Sequence, residues 1–254
     1  MISDPINILG VYIHPCTVQE LHQEIKELID NKVHALILHT NVHGLNLAYN
    51  QLWLRDFLNS AQVNFCDGSG VVLGARILGE NIPERITYAD WTWKIAEFSE
   101  ANQFTFFFLG AEPGIAEKAA ARLQKQYPNL KIVGIHHGFF DKAPNSPENQ
   151  EVIQKINAVK PNILLLGFGM PLQEKWLMEN WGAIDANIAL TGGAVFDYIS
   201  GELNRAPKWI TDSGFEWLGR LVIEPRRLWR RYLIGNPLFM WRIIKYRFYE
   251  KNNH

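Results

Sequence analysis

The sequence predicts an α/β protein with a Rossmann-like, doubly wound, mostly parallel sheet and a helical C-terminal appendage. Short runs of consecutive apolar residues recur along the chain, as is typical of strands buried on both faces. Helical patterns separate these runs, and such an alternation of strands and helices produces a parallel sheet. The predicted strands cover residues 6–13, 35–39, 63–66, 104–109, 131–135, 162–166 and 187–190.

The predicted helices begin at N-terminal signals in the sequence. Thr17 and Glu20 form a capping box, after which apolar residues recur on one helical face. Thr87 precedes another helical pattern, and further helices are expected at residues 114–127 and 146–159. A change of composition near residues 204–207 predicts two domains, an α/β catalytic domain over residues 1–204 and a helical appendage over residues 205–254.

The net charge of −1 hides a basic C-terminal segment. Residues 220–254 hold nine Lys and Arg against two acids, a net of +7, so the remainder carries −8. Seven aromatic residues are interleaved with these charges, which favours an anionic membrane surface as partner. A solvated helix, or one that forms a homo-oligomer, is the alternative, whereas the acidic body argues against nucleic acid. The chain contains no apolar run of about 18 residues and no signal-peptide pattern, and two cysteines suggest a reducing compartment.

Small and polar residues follow most of the predicted strands. Because ligands of such sheets bind outside the carboxyl ends of the strands, these residues are candidates for one binding edge. A glycine-rich turn that leads into a helix can hold phosphate through backbone N–H groups, but it can also be a plain tight turn. The candidates are Thr40, Asn41, Asp67, Gly110, Gly169, Gln173, Gly193 and Asp197.

Asp67 is the candidate general base, because a carboxylate directly after a buried strand, beside glycines, can reach a substrate hydroxyl. The alternative is a helix N-cap. Asp197 could orient a ligand or act as a capping acid. The histidines, including His39, His43, His136 and His137, lack metal-ligand spacing, and no Asp-x-Asp pair is present. We therefore expect no metal and no cofactor, and a departing diphosphate would be neutralised by cations or helix dipoles.

Long motifs of the chain resemble the WecG/TagA/CpsF glycosyltransferases, and the resemblance covers nearly the whole sequence. Tyr88 is one departure, since the family usually has glycine there. The motifs are Asp67-Gly68-Ser69-Gly70-Val71-Val72, Pro83-Glu84-Arg85-Ile86-Thr87, Gly167-Phe168-Gly169-Met170-Pro171-Leu172-Gln173-Glu174, Gly192-Gly193-Ala194-Val195-Phe196-Asp197, Arg205-Ala206-Pro207-Lys208-Trp209, Glu216-Trp217-Leu218-Gly219-Arg220-Leu221 and Glu224-Pro225-Arg226-Arg227-Leu228-Trp229-Arg230-Arg231-Tyr232.

The resemblance implies metal-independent, inverting transfer of a sugar from a UDP-sugar donor, often of the N-acetylmannosamine type. The implied acceptor is a sugar linked to polyprenyl diphosphate, used in cell-surface polysaccharide synthesis. It also implies a cytoplasmic protein attached peripherally to the inner face of the membrane through its C-terminal appendage. Matching residues are Asp67 as the base, Thr40 as a sugar contact, Arg85 in the active site, Gln173 in the donor-pocket motif, and Arg220, Arg227 and Arg230 as arginines that close over the diphosphate.

Two other functions stay open at this point. A nicotinamide-dependent oxidoreductase would suit the Rossmann-like pattern, but Leu172 stands where the third glycine of a dinucleotide fingerprint would be. A non-catalytic helper subunit of a partner glycosyltransferase is the other alternative. Activity of the purified chain alone would separate a helper from an enzyme.

Overall fold

The computed structural model describes residues 2–205, 207, 211, 214 and 216–251 of the 254-residue chain. It begins with a two-stranded antiparallel hairpin of β1 (Ile6–Ile8) and β2 (Val11–Ile13). The prediction of one continuous strand over residues 6–13 is therefore wrong. Leu9 and Gly10 both have positive φ angles, 56° and 89°, which produce a tight two-residue hairpin turn. Asn7 stabilises the turn, because its Oδ1 accepts a hydrogen bond from Gly10 N at 2.8 Å.

Six strands form one parallel sheet, which confirms the predicted fold class. The strands are β3 (Ala35–Thr40), β4 (Val63–Cys66), β5 (Thr105–Gly110), β6 (Lys131–His136), β7 (Ile163–Gly167) and β8 (Ile188–Thr191). Their order across the sheet is β4-β3-β8-β7-β5-β6. Every residue of β3, β7 and β8 is buried, as the uninterrupted apolar runs predict, whereas the edge strand β6 is partly exposed.

The helices between the strands begin close to the predicted positions. The helix predicted from the capping box buries Leu21, Ile25, Leu28 and Ile29 on one face. Ser146 caps another, and its Oγ accepts from Asn149 N at 3.1 Å. These helices are α1 (Val18–Asp30), α2 (Val42–Asn50), α3 (Leu52–Asn59), α4 (Ser69–Leu78), α5 (Tyr88–Asn102), α6 (Ile115–Gln126), α7 (Pro147–Val159), α8 (Leu172–Asn180) and α9 (Val195–Ser200).

The C-terminal part of the chain is helical. It contains α10 (Glu216–Ile223), α11 (Pro225–Trp229), a π-helical turn (Arg230–Ile234) and α12 (Gly235–Lys251). Of the motif at residues 205–209, Ala206, Lys208 and Trp209 lie outside the described residues. Among the helices of the described residues, none combines the length and hydrophobicity needed to span a lipid bilayer.

The chain divides into two compact units, each with its own core. The first comprises Val18–Leu38 and Tyr88–Leu203, and its largest fully buried side chains include Trp91, Trp176 and Phe196. The second comprises Ile2–Thr17, His39–Thr87 and Asn204–His254. The predicted domain boundary after residue 204 stays a prediction.

In the second unit, α12 packs against α2 and α4. Phe239 and Ile243 are buried over Gly74, where an added Cβ would lie 2.7 Å from the Phe239 ring. Arg242 donates from Nη1 to Asn46 Oδ1 at 2.9 Å, and its guanidinium lies 4.0 Å from the centre of the Tyr49 ring. This end of the chain is therefore part of the core of its unit.

Candidate active site

Asp67 lies in the second unit among three arginines. It directly follows β4, and its backbone N–H donates to Thr40 O at 2.9 Å, which fixes the loop against the end of β3. Its side chain is 23% exposed. Burial raises the pKa of this carboxyl group, and Arg231, a hydrogen bond from Asn41, Arg220 and Arg85 oppose the rise. A carboxylate with a raised pKa is a stronger base, as proton abstraction requires.

Asp67 does not cap the helix that follows it. Helix α4 begins at Ser69, and the N-cap position belongs to Gly68, whose φ of 101° favours glycine. The capping alternative for Asp67 is therefore wrong. The Asp67 side chain lies near other polar and charged groups. His39 is one of them, with Nε2 at 3.8 Å from Asp67 Oδ2.

Thr40 and Asn41, at the end of β3, are both held in place by hydrogen bonds within the second unit. The buried Thr40 hydroxyl donates to Asn64 Oδ1 at 2.7 Å. Asn41 caps α2, since its Oδ1 accepts from Gly44 N at 3.0 Å, and its side chain also hydrogen-bonds Asp67. Asn41 therefore orients the carboxylate, and the sugar contact predicted for Thr40 stays a prediction.

Arg85 connects the start of α4 with Thr211 and Glu216. Its Nη1 donates to Ser69 Oγ at 3.0 Å and to Thr211 O at 3.1 Å. Glu216 lies 3.9 Å from the same guanidinium and also accepts from Arg205 Nε at 3.1 Å. Arg85 thus has a fixed orientation while it contributes positive charge beside Asp67.

The C-terminal arginines differ in their surroundings. Arg220 acts to lower the pKa of Asp67, and its Nη2 donates a hydrogen bond to Glu224 Oε2 at 3.4 Å. The side chain of Arg227 is 61% exposed and pairs with Glu224, and Arg230 is exposed over the Trp229 ring. Neither Arg227 nor Arg230 is among the groups that shift the pKa of Asp67.

Arg231 was not among the site residues predicted from the sequence. Of the three arginines it opposes the raised pKa of Asp67 most strongly, and its Nε is buried without a hydrogen-bond partner among the described residues. Burial in turn lowers the pKa of Arg231 itself. Helical spacing was the available signal, because residue 231 follows the buried Leu228 by three positions and precedes the buried Tyr232.

The first unit carries the glycine-rich turns. Gly110 ends β5 next to β7, and an added Cβ would lie 2.6 Å from the Gly167 backbone, so only glycine fits there. Gly169 and Gly193, after β7 and β8, have φ angles of 85° and 57°. Asp197 lies half-buried in the short helix α9. These residues stay predicted donor contacts.

Gln173 and the adjacent Glu174 are fully buried at the start of α8. Gln173 Oε1 accepts from Gly169 N at 3.2 Å and from Gly193 N at 3.1 Å. Its Nε2 donates to Glu174 Oε1 at 2.8 Å. Burial raises the pKa of Glu174 to about 7, and the hydrogen bond from Gln173 opposes the rise. The Gln173 amide thus connects the loops that follow two neighbouring strands.

The structure therefore distributes the predicted site residues over both units. Thr40, Asn41, Asp67, Arg85 and Arg220 belong to the second unit, where Arg231 joins them. Gly110, Gly169, Gln173, Gly193 and Asp197 belong to the first. Within the described part of the chain, no three His, Cys, Asp or Glu side chains are grouped so that they could hold a metal ion.

Comparison with known proteins gives one consistent result. The family model of the glycosyl transferase WecG/TagA/CpsF family matches residues 6–253. The chain is 28% identical over 242 residues to the N-acetylglucosaminyldiphosphoundecaprenol N-acetyl-beta-D-mannosaminyltransferase of Staphylococcus aureus (strain NCTC 8325 / PS 47), covering 94% of this chain and 92% of the relative. The corresponding protein of strain MW2 is 27% identical over the same coverage. The chain therefore belongs to the WecG/TagA/CpsF family of glycosyltransferases.

Proposed function

We propose that this glycosyltransferase moves a sugar of the N-acetylmannosamine type from a UDP-sugar to a polyprenyl-diphosphate-linked acceptor, with inversion and without a metal. The observation that carries the proposal is Asp67, a carboxylate with a raised pKa beside Arg85, Arg220 and Arg231. The name of the Staphylococcus aureus relative describes such a sugar and such an acceptor. The purpose would be the synthesis of a cell-surface polysaccharide.

Asp67 acts as the general base in the proposed reaction. The acceptor hydroxyl oxygen attacks the anomeric carbon of the donor, and the hydroxyl proton passes to Asp67. The bond from that carbon to the diphosphate oxygen breaks, and UDP leaves with the electron pair. Attack from the face opposite the leaving group inverts the anomeric centre. Assistance of this kind is typically worth about 10²–10⁴-fold in rate.

Arg231 and Arg220 are the proposed groups that neutralise the departing diphosphate. A guanidinium keeps its charge at all relevant pH values and can donate two parallel hydrogen bonds to phosphate oxygens. Arg231 is the stronger candidate, since its buried Nε lacks a hydrogen-bond partner among the described residues. Arg227 and Arg230, which the family resemblance implies for this role, are exposed side chains, so a contact with the diphosphate would require them to turn inward.

A UDP-release assay with the purified chain tests the proposal. A panel of UDP-sugars is offered with and without a polyprenyl-diphosphate N-acetylglucosamine acceptor. We expect release that depends on the acceptor and is fastest with UDP-N-acetylmannosamine. Acceptor-dependent release with a different UDP-sugar would correct the donor. No release with any donor would refute enzymatic activity of the chain alone and favour the helper subunit.

We also propose that the C-terminal segment docks on the anionic inner surface of the cell membrane. Helix α12 buries Phe239 and Ile243 but presents Trp241, 56% exposed, and Phe248, 63% exposed, on another face. Exposed apolar side chains also precede α12, and basic residues accompany them throughout. Such a mixture suits a surface where each basic residue contributes about 1 kcal/mol.

Substitution of Trp241 and Phe248 by Ser tests membrane docking without touching the buried face of α12. We expect less sedimentation with vesicles that contain anionic lipid, while the melting temperature is kept. Replacement of the exposed Leu52, on α3, by Ser is the matched control for lost surface hydrophobicity. Equal sedimentation of all three proteins would argue against the docking surface.

A further inference from the structure

The amide of Gln173 has a defined orientation that matters for two loops. Its single oxygen accepts hydrogen bonds from Gly169 N and Gly193 N, which lie after the adjacent parallel strands β7 and β8. Rotation of the amide by half a turn would place its NH₂ group against two N–H donors. Both loops would then lose their shared acceptor, and an N–H group left without a partner in a protein is unfavourable.

Glu174 selects the correct orientation of this amide. Its Oε1 accepts from Gln173 Nε2 at 2.8 Å, so the amide nitrogen is drawn away from the glycine loops. Glu174 is fully buried, and its Oε2 has no hydrogen-bond partner among the described residues. A buried carboxyl group without a full set of partners costs free energy, which a leucine at this position would avoid. The hydrogen bond that orients the Gln173 amide is the structural role that Glu174 has at this buried position.

We propose that Glu174 is a positioning residue that acts through the Gln173 amide to fix the two glycine loops for the sugar-nucleotide donor. The proposal rests on the proposed function for its ligand. Gly169 and Gly193 both have positive φ angles, a conformation that sets the direction of their N–H groups. The hydrogen bonds to Gln173 Oε1 stabilise this conformation in both loops. Displacement of a binding group by about 1 Å can lower activity about 10²-fold.

Three variants test the role of Glu174. Glu174→Ala removes the acceptor for the amide nitrogen, whereas Glu174→Gln keeps an acceptor oxygen of the same reach. Glu179→Ala, on the exposed side of the same helix, is the matched control. We expect Glu174→Ala to lower kcat/KM on the order of 10²-fold, mainly through the donor KM. Glu174→Gln should recover most of this loss, and Glu179→Ala should match the wild type.

A paired swap tests the hydrogen-bond chain itself. Gln173→Glu alone sets two buried carboxyl groups side by side, where two charges would repel unless one group keeps its proton. The neutral amide donor between the two side chains is lost in either case, so we expect this variant to be impaired. In the double variant Gln173→Glu with Glu174→Gln, the new carboxylate at position 173 supplies an acceptor oxygen for the glycine N–H groups. The new amide at position 174 supplies the donor between the two side chains. We expect the double variant to exceed Gln173→Glu alone in kcat/KM.

Amide hydrogen exchange provides a second measurement that does not depend on activity. The Gly169 and Gly193 amides should be protected in the wild type and in Glu174→Gln, and should exchange faster in Glu174→Ala. Unchanged protection together with unchanged donor KM in Glu174→Ala would overturn the proposal. Faster exchange with an unaltered donor KM would also overturn it, since the loops would then not serve the donor. If the wild type transfers no sugar but Glu174→Ala still loosens both amides, the proposed function fails and the hydrogen-bond network stands.

Discussion

Replacement of Glu174 by Gln should change how the stability of the protein depends on pH. Glu174 is fully buried, and burial raises its pKa from the ordinary 4.5 to about 7. In the unfolded chain the same group ionises at its ordinary pKa. Gln has nearly the same shape and keeps an acceptor for the Gln173 amide, but it has no proton to lose. The difference between the two proteins therefore isolates the cost of ionising this one buried group.

The sign and size of the effect follow from the two pKa values. Between pH 4.5 and about 7, the folded state keeps the Glu174 proton that the unfolded state has lost. The folded state binds more protons, so the free energy of unfolding falls as the pH rises through this window. At about 1.4 kcal/mol per pH unit, the wild type loses roughly 3 kcal/mol relative to Glu174→Gln. Below pH 4.5 and above pH 7 the difference should be constant.

Urea unfolding of both proteins at half-unit steps from pH 4 to pH 8.5 measures this difference. The titration of all other groups cancels in the subtraction, because both proteins share them. Glu179→Gln is the control, since its carboxylate lies on the surface of the same helix. A difference between wild type and Glu174→Gln that stays flat across the whole range would show that Glu174 ionises equally in both states. The reasoning from burial would then be refuted.

Three further predictions concern the chemistry. Asp67→Asn should lower turnover by about 10²–10⁴-fold with an unchanged melting temperature, because Gly68 and not Asp67 caps α4; near-normal turnover in the UDP-release assay would reject the base. Arg231→Lys should lower kcat/KM about 10–100-fold, through loss of a charged hydrogen bond, and more than Arg227→Lys, whose side chain is exposed; the reverse order would exclude Arg231 from the diphosphate contact. Turnover should persist in excess EDTA, and a loss that magnesium or manganese restores would contradict metal-independent transfer.

Features set by local sequence patterns were predictable here. The strands β3, β7 and β8 are buried throughout, so uninterrupted apolar runs identify them. The hairpin at residues 6–13 was missed because its turn depends on a positive φ at Leu9, a conformation that apolar residues seldom adopt.

Long-range contacts explain the other differences. The capping alternative for Asp67 failed because the turn makes Gly68 the N-cap, a shift of one residue that spacing alone does not resolve. The hydrogen bond from Gly193 N to Gln173 Oε1 joins residues 20 positions apart in sequence, so no local sequence pattern predicts it. Arg231 is half-buried where the adjacent Arg230 is exposed, and composition alone does not distinguish two neighbouring arginines.

The segment around the π-helical turn places a charged group near Asp67 and exposed apolar side chains within a few consecutive residues. Arg231 contributes charge beside Asp67, whereas its neighbours Leu233 and Ile234 are more than half exposed to solvent. A shortened chain that lacks this segment would therefore lose its candidate phosphate-binding cation and its candidate lipid contacts in a single step. Inactivity of such a fragment in a detergent assay says nothing about whether the lipid surface is needed. A soluble enzyme for crystallisation or inhibitor screening would have to be made by replacing outward-facing side chains one at a time, with the backbone of the segment kept whole.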